Sequence, residues 1–113
     1  MEKSPLLWII GDTPEHTVID FLIEGLGIDY TKIDIARGAE ISRPTLYKIL
    51  RKLENEEVIM PTRIIGRSQL YTLNRKNEKV RFLLKMEEML LAKSFDDAGE
   101  KMVAKVPNRI AKR

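Results

Sequence analysis

Between Ser42 and Asn55 the chain sets a row of cationic and polar side chains against a row of aliphatic ones. Advancing about 100° per residue, Leu46, Ile49, Leu50 and Leu53 cluster on one side of a helix. Pro44, Tyr47, Lys48, Arg51 and Lys52 project on the other. Such a helix fits the major groove of B-DNA, where Lys and Arg reach guanine edges or phosphates. Residues at the start of a groove-bound helix usually meet the bases, and here those are Ser42, Arg43, Thr45 and Tyr47. Ser42 and Thr45, with the free amides of the helix start, can also hold a phosphate. Lys48, Arg51 and Lys52 lie further along and are expected on the sugar-phosphate backbone. Downstream, Arg63, Arg67, Ser68 and Gln69 surround Gly66. An arginine at a hairpin tip there would enter a minor groove or pair with phosphates.

A basic amphipathic helix by itself is often only a solvated face, so the elements that would position it matter. Thr13 caps a helix with Pro14 at its first position, and Val18, Ile19, Leu22 and Ile23 follow at helical spacing until Gly25 and Gly27. A second helix starts near Thr31, with Asp29 or Thr31 as cap and Ile33, Ile35, Ala36 and Ala39 as its apolar positions. Gly38 and Ala39 are small enough for a neighbouring helix to approach closely. The chain turns at Glu40-Ile41, and Ser42-Arg43-Pro44 opens the third helix. Two extended runs follow, Val58 to Ile65 and Gln69 to Leu73, joined by Gly66-Arg67-Ser68. Pro61 restricts the first run to an edge of the sheet. A last helix begins around residues 74–77 and runs to about Lys93, and Asp96-Asp97-Ala98-Gly99 reads as a break. The apolar segment Ser4 to Gly11 is too short for periodicity to separate strand from helical turn.

Other chemistries find little support. With no cysteine and one histidine, His16, the chain carries neither a disulfide nor a thiolate metal site, and no metal or other cofactor is expected. Gly66-Arg67-Ser68 lacks the spacing and following helix of a phosphate loop. Glu54, Glu56 and Glu57 form a solvated charge run at a helix end, and no nucleophile, base and acid come together by spacing. The expectation is a protein that is not an enzyme.

Charge is unevenly placed. Residues 1–30 hold one Lys and six acidic groups, whereas residues 31–76 hold ten Lys or Arg and five acidic groups. The basic stretch is thus the one with the candidate groove helix and hairpin, as a phosphate partner requires. Hydrophobic residues at 43 % and charged residues at 33 % suit a folded, charge-rich domain. The run Leu6 to Ile10 is too short to span a bilayer, and a cytoplasmic, nucleoid-associated location is expected.

The order helix, helix, turn, helix, hairpin, helix resembles the winged helix-turn-helix superfamily. It is similar to small archaeal and bacterial transcriptional regulators of the MarR and ArsR type. The resemblance covers roughly residues 14–92. It rests on Ile35-Ala36, on Ser42-Arg43-Pro44-Thr45-Leu46, on Leu50-Arg51-Lys52-Leu53-Glu54 with Val58-Ile59, and on the Arg-containing, Gly-tipped wing. Pro61 departs from the pattern. The implied fold is mainly α with a small β-hairpin wing, a winged helix-turn-helix plus a C-terminal dimerisation helix. The expected division is a DNA-binding domain over 1–76, a dimerisation helix over 77–94 and a polar basic tail over 95–113, for which a short helix and disorder both stand open.

The last helix has apolar residues on nearly every side, which points to a partner helix and a two-fold dimer. Trp8, Phe82, Leu83, Met86, Met89 and Leu90 are its candidate interface residues. The leading expectation is sequence-specific binding of double-stranded DNA by a homodimeric transcriptional regulator. An architectural or partition protein that coats DNA, and a winged-helix module that binds proteins, are the alternatives. Lys101, Lys105, Arg109, Lys112 and Arg113 of the tail would add non-specific attraction to DNA, or only solubility.

Overall fold

A computed structural model describes residues 4–103, with side chains described as far as residue 93. Tail residues Lys105, Arg109, Lys112 and Arg113, and the side chain of Lys101, lie outside that description. The elements run α1 (Pro5–Ile10), α2 (Pro14–Glu24), β1 (Tyr30–Thr31), α3 (Lys32–Ala39), α4 (Arg43–Asn55), β2 (Ile59–Ile65), β3 (Ser68–Leu73) and α5 (Glu78–Val103).

The helix starts are set by local chemistry. Ser4, Thr13 and Ser42 each offer a side-chain oxygen to a backbone amide three residues on, at 3.2, 3.3 and 3.3 Å, and each is followed by proline in the first turn. Proline there forfeits no helical hydrogen bond. Thr31 and Asp34 form a reciprocal capping box at the head of α3, with bonds of 3.1 and 3.2 Å. Asn77 caps α5 by accepting from the amides of Lys79 and Val80. Its Nδ2 also donates to the carbonyls of Glu56 and Glu57, which ties the start of α5 to the end of α4.

The three central helices enclose one core. Val18, Leu22, Ile35, Leu46, Leu50 and Leu53 are buried together with Leu6, Ile59, Tyr71, Leu73 and Val80. Each such aliphatic side chain contributes about 1.5–3 kcal/mol by leaving water. Helices α2 and α3 meet where the Phe21 ring covers Gly38, a position at which any Cβ would collide with the ring. Of the apolar positions of this helix, Ile33 is 45 % exposed, because Ile35 and Ala36 already fill the inward side of this short helix.

The sheet is antiparallel in the order β1-β3-β2. Strand β1 is only two residues long and pairs Tyr30 with Tyr71 and Thr31 with Leu70. Pro61 lies on the edge strand β2, as its missing amide demands. The register slips between Pro61 and Ile64, so one extra residue of β2 bulges out. Gly66 at φ +62° opens the two-residue turn Gly66-Arg67 at the hairpin tip.

Two expectations are resolved or corrected at the ends. Ser4 to Gly11 is helical, capped by Ser4 and stopped at Gly11. Helix α5 does not break at Asp96-Asp97-Ala98-Gly99 but continues to Val103. One glycine in a helix interior costs only about 1 kcal/mol, which the good helix formers around it offset. The boundary placed near residue 94 therefore falls inside a continuous helix.

Candidate nucleic-acid interface

Helix α4 is divided sharply into two faces. Leu46, Leu50 and Leu53 are buried and Ile49 is half-buried. Arg43, Pro44, Tyr47, Lys48, Arg51 and Lys52 are all exposed. The opposed arrangement read from the wheel is therefore present, with cations from Arg43 to Lys52 along about two and a half turns. Lys52 bridges to Glu15 at 3.2 Å, an exposed pair of little energetic weight that a phosphate would displace readily. Arg43, Lys48 and Arg51 take part in no ion pair among the described residues.

The head of α4 uses its hydroxyls locally. Ser42 Oγ accepts from the Thr45 amide and donates to Thr45 Oγ1 at 2.9 Å. These two side chains hold the helix start in shape, and contact with a base would require that cap to open. Sequence reasoning did not single out Lys32. Its Nζ lies 5.1 Å from the centre of the Tyr47 ring, a cation–π distance that brings a charge from α3 onto the α4 face. No spacing rule links positions 32 and 47, since the turn between α3 and α4 sets the approach.

The wing divides its polar residues differently. Asp29 accepts from Arg63 Nε at 2.9 Å, from Arg63 Nη2 at 3.1 Å and from Thr62 Oγ1 at 2.6 Å. The Arg63 bonds, then the Thr62 bond, hold the Asp29 carboxyl down at about 2, against an ordinary 3.8. Arg63 is thus a latch between the loop before β1 and the bulge of β2. Gln69 donates from Nε2 to the carbonyls of Arg63 and Leu70, at 3.0 Å each, and closes the bulge from the other strand. Arg67 and Ser68 remain exposed at the tip, beside exposed Ile64 and Ile65.

The residues expected to meet a second copy also separate. Trp8, Phe82 and Met89 are 74, 70 and 63 % exposed. Leu83, Met86 and Leu90 are partly buried and pack against the chain's own core. His16, the single histidine, places Nδ1 3.1 Å from the Gly11 carbonyl. Among the described residues no group of three His, Asp or Glu is arranged to hold a metal ion. No helix among them is long and apolar enough to cross a membrane.

No protein-family model and no curated protein matches the chain. Solved structures do. NadR, solved with 4-hydroxyphenylacetate, is 24 % identical with a TM-score of 0.60 over 89 % of this chain and 70 % of its own. ZitR of Lactococcus lactis, a zinc-responsive MarR family member, is 24 % identical with a TM-score of 0.54 over 75 % of this chain. MepR of Staphylococcus aureus, a transcription regulator of the multidrug efflux pump MepA, is 23 % identical with a TM-score of 0.51, over 82 % and 72 % of the two chains. The fold is a MarR-like winged helix-turn-helix. This winged helix spans 60 % of the length of ZitR, which has also been solved in complex with DNA. In its terms α3 and α4 are the helix-turn-helix, β2 and β3 the wing, and α1 with α5 the flanking helices.

Proposed function

We propose that the chain is a transcriptional regulator that binds double-stranded DNA, with α4 in the major groove and the wing on the adjacent backbone or minor groove. One observation carries the reading: α4 buries its leucines and turns Arg43, Tyr47, Lys48, Arg51 and Lys52 to solvent together. The MarR-like fold supports it, as does the solution of ZitR with DNA. Arg43 and Tyr47, near the helix start, are assigned to base edges. Lys48, Arg51, Lys52 and Lys32 are assigned to phosphates, and Arg67 and Ser68 to the wing contact. Ser42, Pro44 and Thr45 shape the helix start, while Arg63 and Gln69 brace the wing. No catalytic step and no bound cofactor belong to this reading, and its setting is the cytoplasm, on the nucleoid.

A homodimer completes it. Phe82 and Met89 on α5 and Trp8 on α1 are exposed, large and apolar, and a second copy would cover them while presenting a second α4 to the next turn of the duplex. The test is fluorescence anisotropy with random duplex DNA across a salt series, followed by selection of a preferred site. Binding that weakens linearly in log salt, with a two-fold symmetric preferred site, is expected. Absence of binding at low salt would overturn DNA recognition. Sedimentation of Phe82→Glu/Met89→Glu tests the dimer separately, and an unchanged sedimentation coefficient would overturn it.

A further inference from the structure

The core-facing side of α5 reads Val80, Leu83 and Leu84, Glu87, then Leu90, so a carboxylate occupies a position in the middle of an apolar seam. Glu87 is 9 % exposed, and its Oε1 is buried without a hydrogen-bond partner. Such an atom weakens the fold unless something donates to it. What faces it from α2 is more negative charge, Asp20 and Glu24, one helical turn apart. Asp20 is itself buried and accepts from Ser4 Oγ at 2.8 Å. Helix α1, which packs on α5, has no ionisable side chain between Pro5 and Ile10. Burial, then Asp20 and Glu24, pushes the Glu87 carboxyl up, and burial with Asp20 does the same to Glu24.

Beside these carboxylates lies a recess of about 590 Å³ between the end of α2 and the middle of α5. Ile23, Leu26, Leu84 and Leu91 line it with Glu24 and Glu87, and Glu88 adds a further carboxylate. We propose that this seam binds an organic cation, with an ammonium head donating to Glu87 and Glu24 and an aliphatic body lying on Ile23, Leu26, Leu84 and Leu91. The head relieves the repulsion among the three carboxylates. The body is required because the rest of the recess is aliphatic and offers a fully hydrated cation nothing in exchange for its water. An anion of the same size meets the same carboxylates and is repelled. The site lies on α2 and α5, apart from the exposed face of α4, and stands or falls separately from DNA binding.

The test is the melting temperature and calorimetric affinity of the full chain with three probes of one length: hexylammonium, hexanol and hexanoate. Hexylammonium is expected to stabilise the fold and the other two not to. Its affinity should rise as pH is raised through and above the ordinary carboxylate range, because carboxyls held above that range ionise only there. Glu24→Gln, at an exposed position that leaves the core intact, should weaken hexylammonium about tenfold or more. Glu87→Leu should abolish the response. Without a ligand, the raised Glu87 carboxyl supports the fold below its ordinary range and loses that support as pH rises through its folded value. Glu87→Leu should therefore flatten this fall in stability. Equal stabilisation by hexanol would overturn the proposal in favour of a purely apolar crevice. No effect of hexylammonium, together with a pH dependence abolished by Glu87→Leu, would overturn it in favour of a proton store alone. Should Glu87→Leu fail to fold, an affinity for hexylammonium unchanged in Glu24→Gln overturns it equally.

Discussion

Helix α4 and the wing carry the same kinds of residue and use them in opposite ways. On α4, Arg43, Lys48 and Arg51 rest on a helix whose shape is fixed from the other side by Leu46, Leu50 and Leu53, so their charges are available to a partner. On the wing there is little core beneath the strand: β2 is exposed at every position after Ile59. Its polar residues must then supply the rigidity, and Arg63 and Gln69 are bound to Asp29 and to backbone carbonyls. Only Arg67 at the tip resembles the α4 cations in being exposed and outside any ion pair among the described residues. An arginine in a basic patch is therefore a candidate contact only when something else holds its element in place.

The largest effect expected on this contrast comes from its support. Leu50→Ala should cost about 2–5 kcal/mol of folding stability, read by denaturant unfolding, because the site is fully packed. A cost below about 1 kcal/mol would mean that α4 is held by something other than its buried face. Next, Arg43→Ala should cost about 1–3 kcal/mol of DNA affinity and relax the preference at one base position, seen by comparing selected sites. Smaller still, Asp29→Asn should weaken DNA binding several-fold by freeing the wing, with more rapid hydrogen exchange in residues 59–73 as its signature. Because the Asp29 carboxyl is lowered, its contribution is complete above about 3.8 and is lost only as pH falls towards about 2. The Asp29→Asn defect should accordingly be constant between about pH 5 and about pH 8. The smallest change concerns Glu40, which holds φ +59° between α3 and α4. Glu40→Gly should stabilise the fold by about 0.5–1 kcal/mol in thermal unfolding, since only glycine adopts that conformation without strain.

What could be read from the sequence was what local chemistry decides. Thr13-Pro14, Thr31 and Ser42-Arg43-Pro44 gave away three helix starts, because cap and proline act within one turn. The two faces of α4 followed from 3.6-residue periodicity, and the hairpin from Gly66-Arg67-Ser68 between two extended runs. Features that depend on residues distant in sequence were out of reach. Strand β1 is too short for any pattern and exists because β3 offers it an edge. The Asp29–Arg63 latch joins positions 34 residues apart. That Leu83, Met86 and Leu90 also pack on the chain's own core could not be read, because helical periodicity alone cannot say which side of α5 faces the rest of the chain. Glu87 was hidden for the same reason, as one acidic residue in a helix with many.

The most direct measurement is the slope of log affinity against log salt for random duplex DNA, compared among the wild-type chain, Arg51→Ala and Arg63→Ala. Removing one cation from a phosphate should reduce the slope by about 0.9. Arg51→Ala is predicted to reduce it by about that amount. Arg63→Ala should weaken binding at every salt concentration with the slope unchanged, because its charge is held by Asp29 and its role is shape. Slopes reduced equally in both variants would show that the wing arginine touches phosphate like those of α4, and would contradict the division between the two regions.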